Sequence, residues 1–359
     1  MSDRSPERAP QPRRPFRWAL YLPYFVLLVL AIAWCAFWFV ARQRVEAAME
    51  GWFAQEAAQG RNWVCPNRHV AGFPMRFELA CEAPTFSGNT PQGPIEGSVA
   101  HFIAAAQIYD PNLVVADLRG PLVVKSTVTG QSAKLGWAAF DISVRRGQGG
   151  LVRMSTVIRE PNLTLVAANG GETPLARGQL FEAHVRPDPD RPAEQGAYDL
   201  VSRLDKATIP MLDQLLRSAE PASLELQSTA TQASAFFTGA GPAQFEQWRA
   251  RGGALDLVLL KLDKGPQRLE ANGTLALDDQ HRPSGRITAR AAGLGELVGA
   301  LSGRGGGLGG LIAGGLGMLG RPAATSGAGP AMTTLPTVVL ANGQVMVGPF
   351  VVARIPPLY

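Results

Sequence analysis

The chain has 359 residues, 46% apolar and 18% charged, a balance that can bury a core and excludes a disordered tether. Its formal charge of +5 does not describe a nucleic-acid binder. Residues 1–17 hold five arginines against Asp3 and Glu7, leaving 29 of the 34 basic and 27 of the 29 acidic side chains to the rest, with no basic stripe.

Trp18 to Ala41 runs twenty-four residues without a charge and contains three of the seven tryptophans. About 20 apolar residues carry a helix across the hydrocarbon core, so this run is long enough to span. Pro23 lies in its first turns, where a missing N–H costs little. Arg4, Arg8, Arg13, Arg14 and Arg17 precede the run, whereas Arg42 and Arg44 follow it together with Glu46, Glu50 and Glu56. The positive-inside bias therefore predicts a cytoplasmic tail (1–17), a single-pass inner-membrane anchor (18–41) and a periplasmic bulk. A cleaved secretory signal is the alternative, because Ala31-Ile32-Ala33 has the small-x-small form of a cleavage site; the eight uncharged residues that follow it favour the anchor. A lipoprotein signal is excluded by the bulky Trp34 in front of Cys35.

Val45, Met49, Trp52 and Phe53 recur at helical spacing and Gly60 is placed to end the helix, which predicts a stem over 42–60. At about 1.5 Å per residue the stem would reach about 28 Å from the bilayer. Trp52 and Phe53 are then candidates for the mouth of a groove, or simply pack the stem on the first hairpin. In WVCPNRHVAGFPMRFELAC, the residues Met75, Phe77, Leu79 and Cys81 alternate with polar or small ones, the period of a half-buried strand. Trp63 and Cys65 share the inward face of the strand before it, which predicts a hairpin closed by a Cys65–Cys81 disulfide, a bond suited to an oxidising compartment. Cys35 falls in the span.

Beyond this point, short strands separated by Gly, Pro, Asn and Asp dominate, with helices expected only near 206–218, Pro242–Arg251 and Leu294–Leu301. The fold class is mainly β: residues 61–359 are expected to form one large, curled antiparallel sheet with few helices. Ala271-Asn272-Gly273 and Ala341-Asn342-Gly343 each open an alternating strand, a small internal echo. Gly303–Gly320 carries Gly306, Gly310 and Gly314 at i, i+4, i+8 but is too glycine-rich to span, and it is read as part of a connector over 303–333.

Catalytic motifs are missing: there is no G-x-S-x-G, H-E-x-x-H or G-x-x-x-x-G-K-[ST]. Gly305, Gly307 and Gly310 match a dinucleotide fingerprint in letters but have no strand-to-helix context. His69, His101, His184 and His281 are scattered, Asp188 and Asp190 bracket a proline, and Asp278 and Asp279 read as turn formers. No cofactor, metal or catalytic set is expected. Strands such as LVVADL and LDLVLLKL carry apolar residues at both alternating positions, so the second face packs on helices or lines an apolar groove.

The anchor, GFPMRFELAC after WVC, the segment NGTLALDDQHRPSGRITARAAGLGELVGAL and the closing NGQVMVGPFVVARIPPLY resemble the bacterial family called domain of unknown function 2125, over residues 15–359. That resemblance carries no activity or site residue. The strand-turn-strand-helix over 272–301 is also similar to pieces of the AsmA-like envelope proteins, which implies a membrane-anchored β-rich groove that moves or organises lipid. The expected function is thus a non-enzymatic envelope role that handles lipid or another apolar ligand. A scaffold binding a protein partner through its apolar sheet face is the alternative, and a hydrolase acting on an envelope polymer is a third reading.

Overall fold

The computed structural model describes residues 18–90, 93–238, 241–293 and 332–359. The expected helix 294–301 and nearly all of the glycine-rich connector lie outside the described residues. The predicted anchor and stem form one uninterrupted helix, α1 (Trp18–Ala58), with Pro23 in its second turn. It ends as expected at Gly60, whose φ of 75° suits a residue without Cβ and whose N–H bonds the Ala57 carbonyl.

The strands that follow are β1 (Asn62–Val64), β2 (His69–Ala71), β3 (Arg76–Glu82), β4 (Thr85–Thr90), β5 (Gly93–Ser98), β6 (His101–Gln107), β7 (Asp110–Arg119) and β8 (Leu122–Ser126). Next come β9 (Ser132–Gly136), β10 (Ala139–Gly147), β11 (Gly150–Arg159), β12 (Asn162–Val166), β13 (Glu172–Arg177), β14 (Leu180–Pro187) and β15 (Tyr198–Ala207). After α2 (Pro210–Leu216) come β16 (Ala222–Ala230), a short 3-10 turn over Ala233–Thr238, α3 (Pro242–Ala250), β17 (Leu255–Lys264), β18 (Gln267–Leu277) and β19 (Pro283–Ala292). The chain closes with β20 (Thr333–Thr334), β21 (Val338–Ala341), β22 (Gln344–Val347) and β23 (Phe350–Arg354).

All pairings are antiparallel, but the strands make two sheets and not the single one expected. The smaller has seven strands in the order β1-β4-β5-β8-β9-β12-β13. The larger has sixteen, running β2-β3-β6-β7-β10-β11-β14-β15-β16-β17-β18-β19-β21-β22-β23, with β20 on β19. Between β3 and β14 the chain crosses from one sheet to the other at Ala83-Pro84, Val99-Ala100, Gly120-Pro121, Trp137-Ala138, Glu160-Pro161 and Gly178-Gln179.

These crossings are bonded to one another: Ala83 N–H donates to Ala100 O, Val99 to Pro84 O, Glu160 to Gln179 O and Gly178 to Pro161 O, all at 2.9–3.1 Å. Proline cannot donate to a ladder, so Pro84, Pro121 and Pro161 break three strands along one line. Ala83 and Glu160 adopt positive φ to make the break. At Gly120 the Trp137 ring lies so close that a Cβ would meet it at 3.0 Å, and the Trp137 indole donates to Leu118 O (2.8 Å). Prolines that read as ends of strands in the sequence are, in the structure, the seam between two sheets.

Candidate functional site

The first hairpin differs from expectation. β3 pairs with β2, whereas β1 pairs with β4 in the other sheet. The disulfide is present, with Cys65 just after β1 and Cys81 buried in β3, Cα atoms 5.4 Å apart, so it ties the edge of the small sheet to the large one. The physical reason is the Cys65–Arg68 turn, which carries the chain between sheets where a hairpin would have kept it in one.

Residues paired directly across an antiparallel ladder share a face, so the register sorts every side chain. One row of partners runs Phe77–Ala106–Val114–Val144–Met154–Val185–Leu200 and on through Ser228–Leu257–Gly273–Ile287–Val338–Val347–Phe350. It crosses fourteen strands with only Ser228 and Gly273 not apolar, about 62 Å at the usual spacing of about 4.8 Å between strands. A second row on the same face reads Phe140–Ile158–Phe181–Leu204–Leu224–Leu262–Leu269–Ala291.

The opposite face is charged. Its row Glu182–Arg203–Glu225–Lys261–Glu270–Arg290 alternates in sign at every step, and Arg203–Glu225 and Arg290–Glu270 approach to 3.3 and 2.8 Å. Such exposed pairs add about 0–1 kcal/mol each, so they fix register more than stability. Apolar side chains also stand on this face, as the sequence implied. A bulge in LDLVLLKL pairs Gln227 with Leu259 and Ser228 with Leu257, so Leu259 joins the charged face beside Lys261 while Leu257 joins the apolar row, and Val115 of LVVADL, paired with Ser143, lies on the face opposite to Val114. A shallow concavity of about 750 Å³ on the charged side is lined by Arg145, Arg153, His184, Arg186 and Asp199 among others.

The apolar face is covered at its margins and open between them. At one corner Trp38 of α1, only 4% exposed, stacks on Phe77 (centroids 5.8 Å, planes 17° apart) and meets Phe73 edge-on. Its indole donates to Arg76 O (3.4 Å), and that of Trp34 to Pro74 O (3.1 Å). Further along α1, Trp52 packs on Phe53 and Trp63, and Trp63 on Phe86, which belongs to the small sheet. The sheet contacts nearest the N-terminus of α1 are therefore made by Trp34 and Trp38; their four-residue spacing, one helical stripe, was the available signal in the sequence.

Along another margin, Ala207, Ala222 and Lys264 have no exposure, and the Lys264 ammonium donates to Asp213 of α2 and to Glu220 O. Elsewhere Phe237 packs edge-on to Tyr198, and Trp248 of α3 packs on Phe236 while donating to Thr231 O (2.7 Å). Between these covers, Leu257 is the only buried leucine of the two rows; Leu200, Leu204, Leu224, Leu262 and Leu269 stay half-buried.

One cluster of titratable side chains joins α3 to the closing segment. Glu246 accepts from Arg249 (2.7 Å) and from the Tyr359 hydroxyl (3.0 Å), and lies 3.3 Å from His281, whose ring stacks on Tyr359. The Arg249 guanidinium first, then Tyr359, hold the Glu246 carboxyl at about 2. Leu358 N–H donates to His281 O, so this cluster fastens the chain's end. Asp278 accepts from the Gln280 and Arg282 amides, and Asp188 from that of Asp190, as turn formers do. The other histidines have separate partners: His69 Asn67 O, His101 Glu82 and His184 Ser155. Among the described residues no group of three His, Cys, Asp or Glu is placed to hold a metal.

With the face and its covers in place, comparison with known families is informative. A family model described as an uncharacterized protein conserved in bacteria (DUF2125) matches residues 38–356. The chain belongs to the DUF2125 family. Comparison with curated proteins and with solved structures finds no match. The DUF2125 match begins at Trp38, the residue that docks α1 on the large sheet, and ends beyond β23, so it takes in both sheets and the whole apolar face.

Proposed function

We propose that this DUF2125 protein is a non-catalytic envelope protein, held in the inner membrane by α1 with its sheets on the periplasmic side, that carries the acyl chains of lipids on the apolar face of the large sheet. The observation that carries the reading is the Phe77–Phe350 row. Each exposed CH₂ costs about 0.8 kcal/mol in water, so a fourteen-strand apolar strip left half-open calls for a covering ligand. Its first member stacks on a helix that is apolar and long enough to cross a bilayer, which supplies a source of acyl chains at one end of the strip. The asymmetry of arginines around that helix supports the orientation, and the disulfide suits the periplasm.

Organic extraction and mass spectrometry of the full-length protein, purified in a detergent that exchanges bulk lipid, tests the reading. Retained phospholipid in stoichiometric amount is expected. A lipid-free protein that elutes with a second polypeptide would replace lipid by a protein partner on this face.

A further inference from the structure

The docking of α1 on the large sheet brings a second part of the chain beside the uncharged stretch of the helix. Trp34 lies sixteen residues after Trp18, about 24 Å along α1, whereas the hydrocarbon core takes about 30 Å, or about 20 residues. The carbonyl it bonds, Pro74 O, belongs to the β2–β3 turn, so that turn sits beside the uncharged stretch of the helix. Its neighbours are apolar and turned outward: Phe73 is 51% and Met75 58% exposed. The β6–β7 turn joins it, since Ile108 N–H donates to Met75 O, and presents Tyr109 at 77% exposure.

Charge marks where this zone ends. The first charged residue of α1 after the run is Arg42, one turn beyond Trp38. The first in β3 is Arg76, whose carbonyl Trp38 bonds and whose guanidinium pairs with Glu78. Two separate segments thus change from apolar to charged at the same height on the helix. Aromatic and thioether side chains on one side of that level and arginines on the other are the arrangement of a membrane interface.

We infer that the β2–β3 and β6–β7 turns dip into the outer-leaflet interface of the same bilayer that α1 spans, with Phe73, Met75 and Tyr109 in contact with lipid. The inference rests on the anchored reading of α1 and adds a second, non-helical membrane contact. That contact sets the start of the apolar row, Phe77, at the bilayer surface and fixes the sheet against rotation about the helix.

The test uses full-length protein with Cys35→Ser, reconstituted in phosphatidylethanolamine and phosphatidylglycerol vesicles and carrying a polarity-sensitive fluorophore at one new cysteine: M75C, Y109C, L27C in the span, or N169C on the β12–β13 turn. Phospholipid with brominated acyl chains is the quencher. Blue-shifted emission and loss of intensity at M75C and Y109C, as at L27C, with N169C unaffected, is the expected result. If L27C is quenched while M75C and Y109C behave like N169C, the turns lie in water and the inference fails with the anchor intact. If L27C is not quenched either, the anchored reading fails and takes the inference with it. The retained-lipid measurement is independent of all four labels.

Discussion

Trp38 of the apolar helix lies face to face with Phe77 of β3, at 5.8 Å between centroids, and Phe77 is the first member of the apolar row. Helix and sheet are thereby one structure and not a domain on a tether. Removing a buried tryptophan costs about 3–5 kcal/mol. Trp38→Ala should therefore lower the unfolding midpoint of the detergent-purified protein clearly more than Trp52→Ala, because Trp52 is 46% exposed. Equal effects would mean that the stem, not the span, holds the sheets.

The Cys65–Cys81 bond closes a loop with a sequence separation of 16, and such a loop is worth about 3 kcal/mol in the chain-entropy model. Since it joins two sheets, the Cys65→Ser, Cys81→Ser protein should also lose amide protection in β1 and β4 before β16 and β17. Hydrogen exchange read by mass spectrometry checks the order, and uniform loss across both sheets would contradict it.

How far the sequence reveals this arrangement depends on the range of each cause. The span, the end of the stem at Gly60 and strands such as β18 are set by local period and local turn chemistry, and they are legible. The seam is not: β9 and β10 are separated only by Trp137-Ala138, with no Gly, Pro, Asn or Asp between them to mark a break, yet the chain changes sheet there because its neighbours do so on either side. The strands β4, β5 and β13, rich in Gly, Asn, Pro and Thr, carry little strand signal and are held by their partners. Likewise 205–207 continues β15, and α2 begins only at Pro210. The site was legible as apolar alternation, but the row that crosses the sheet was not, because the bulge at Val258 shifts the phase of β17 and only the register restores it.

Lys264 should be intolerant of losing its partner. Asp213→Ala leaves an unpaired ammonium without solvent and is expected to cost about 3–5 kcal/mol, whereas Lys264→Met with Asp213→Leu removes both charges and should cost less. Urea denaturation of the three proteins decides this. A single variant as stable as the double would show that water reaches the site.

The cluster around Glu246 should open in acid. Its carboxyl is held at about 2 against an ordinary 4.5, so the folded state is favoured by the ionised form. That contribution is complete above about pH 4.5 and is lost as pH falls toward 2. Near-ultraviolet circular dichroism of Tyr359 and Phe245 should report a transition in this window, absent from Glu246→Gln. An identical transition in the variant would assign it to other groups.

The claim that the apolar row carries acyl chains is tested most directly by site-specific photocrosslinking in cells. A benzophenone amino acid at Val185 or Leu200, on the row, is compared with one at Arg203 or Glu225, on the charged face of the same strands or their neighbours. Phospholipid adducts at Val185 and Leu200, and none at Arg203 and Glu225, are the predicted result. Adducts to protein alone at Val185 and Leu200, or lipid labelling equal on the two faces, would contradict it.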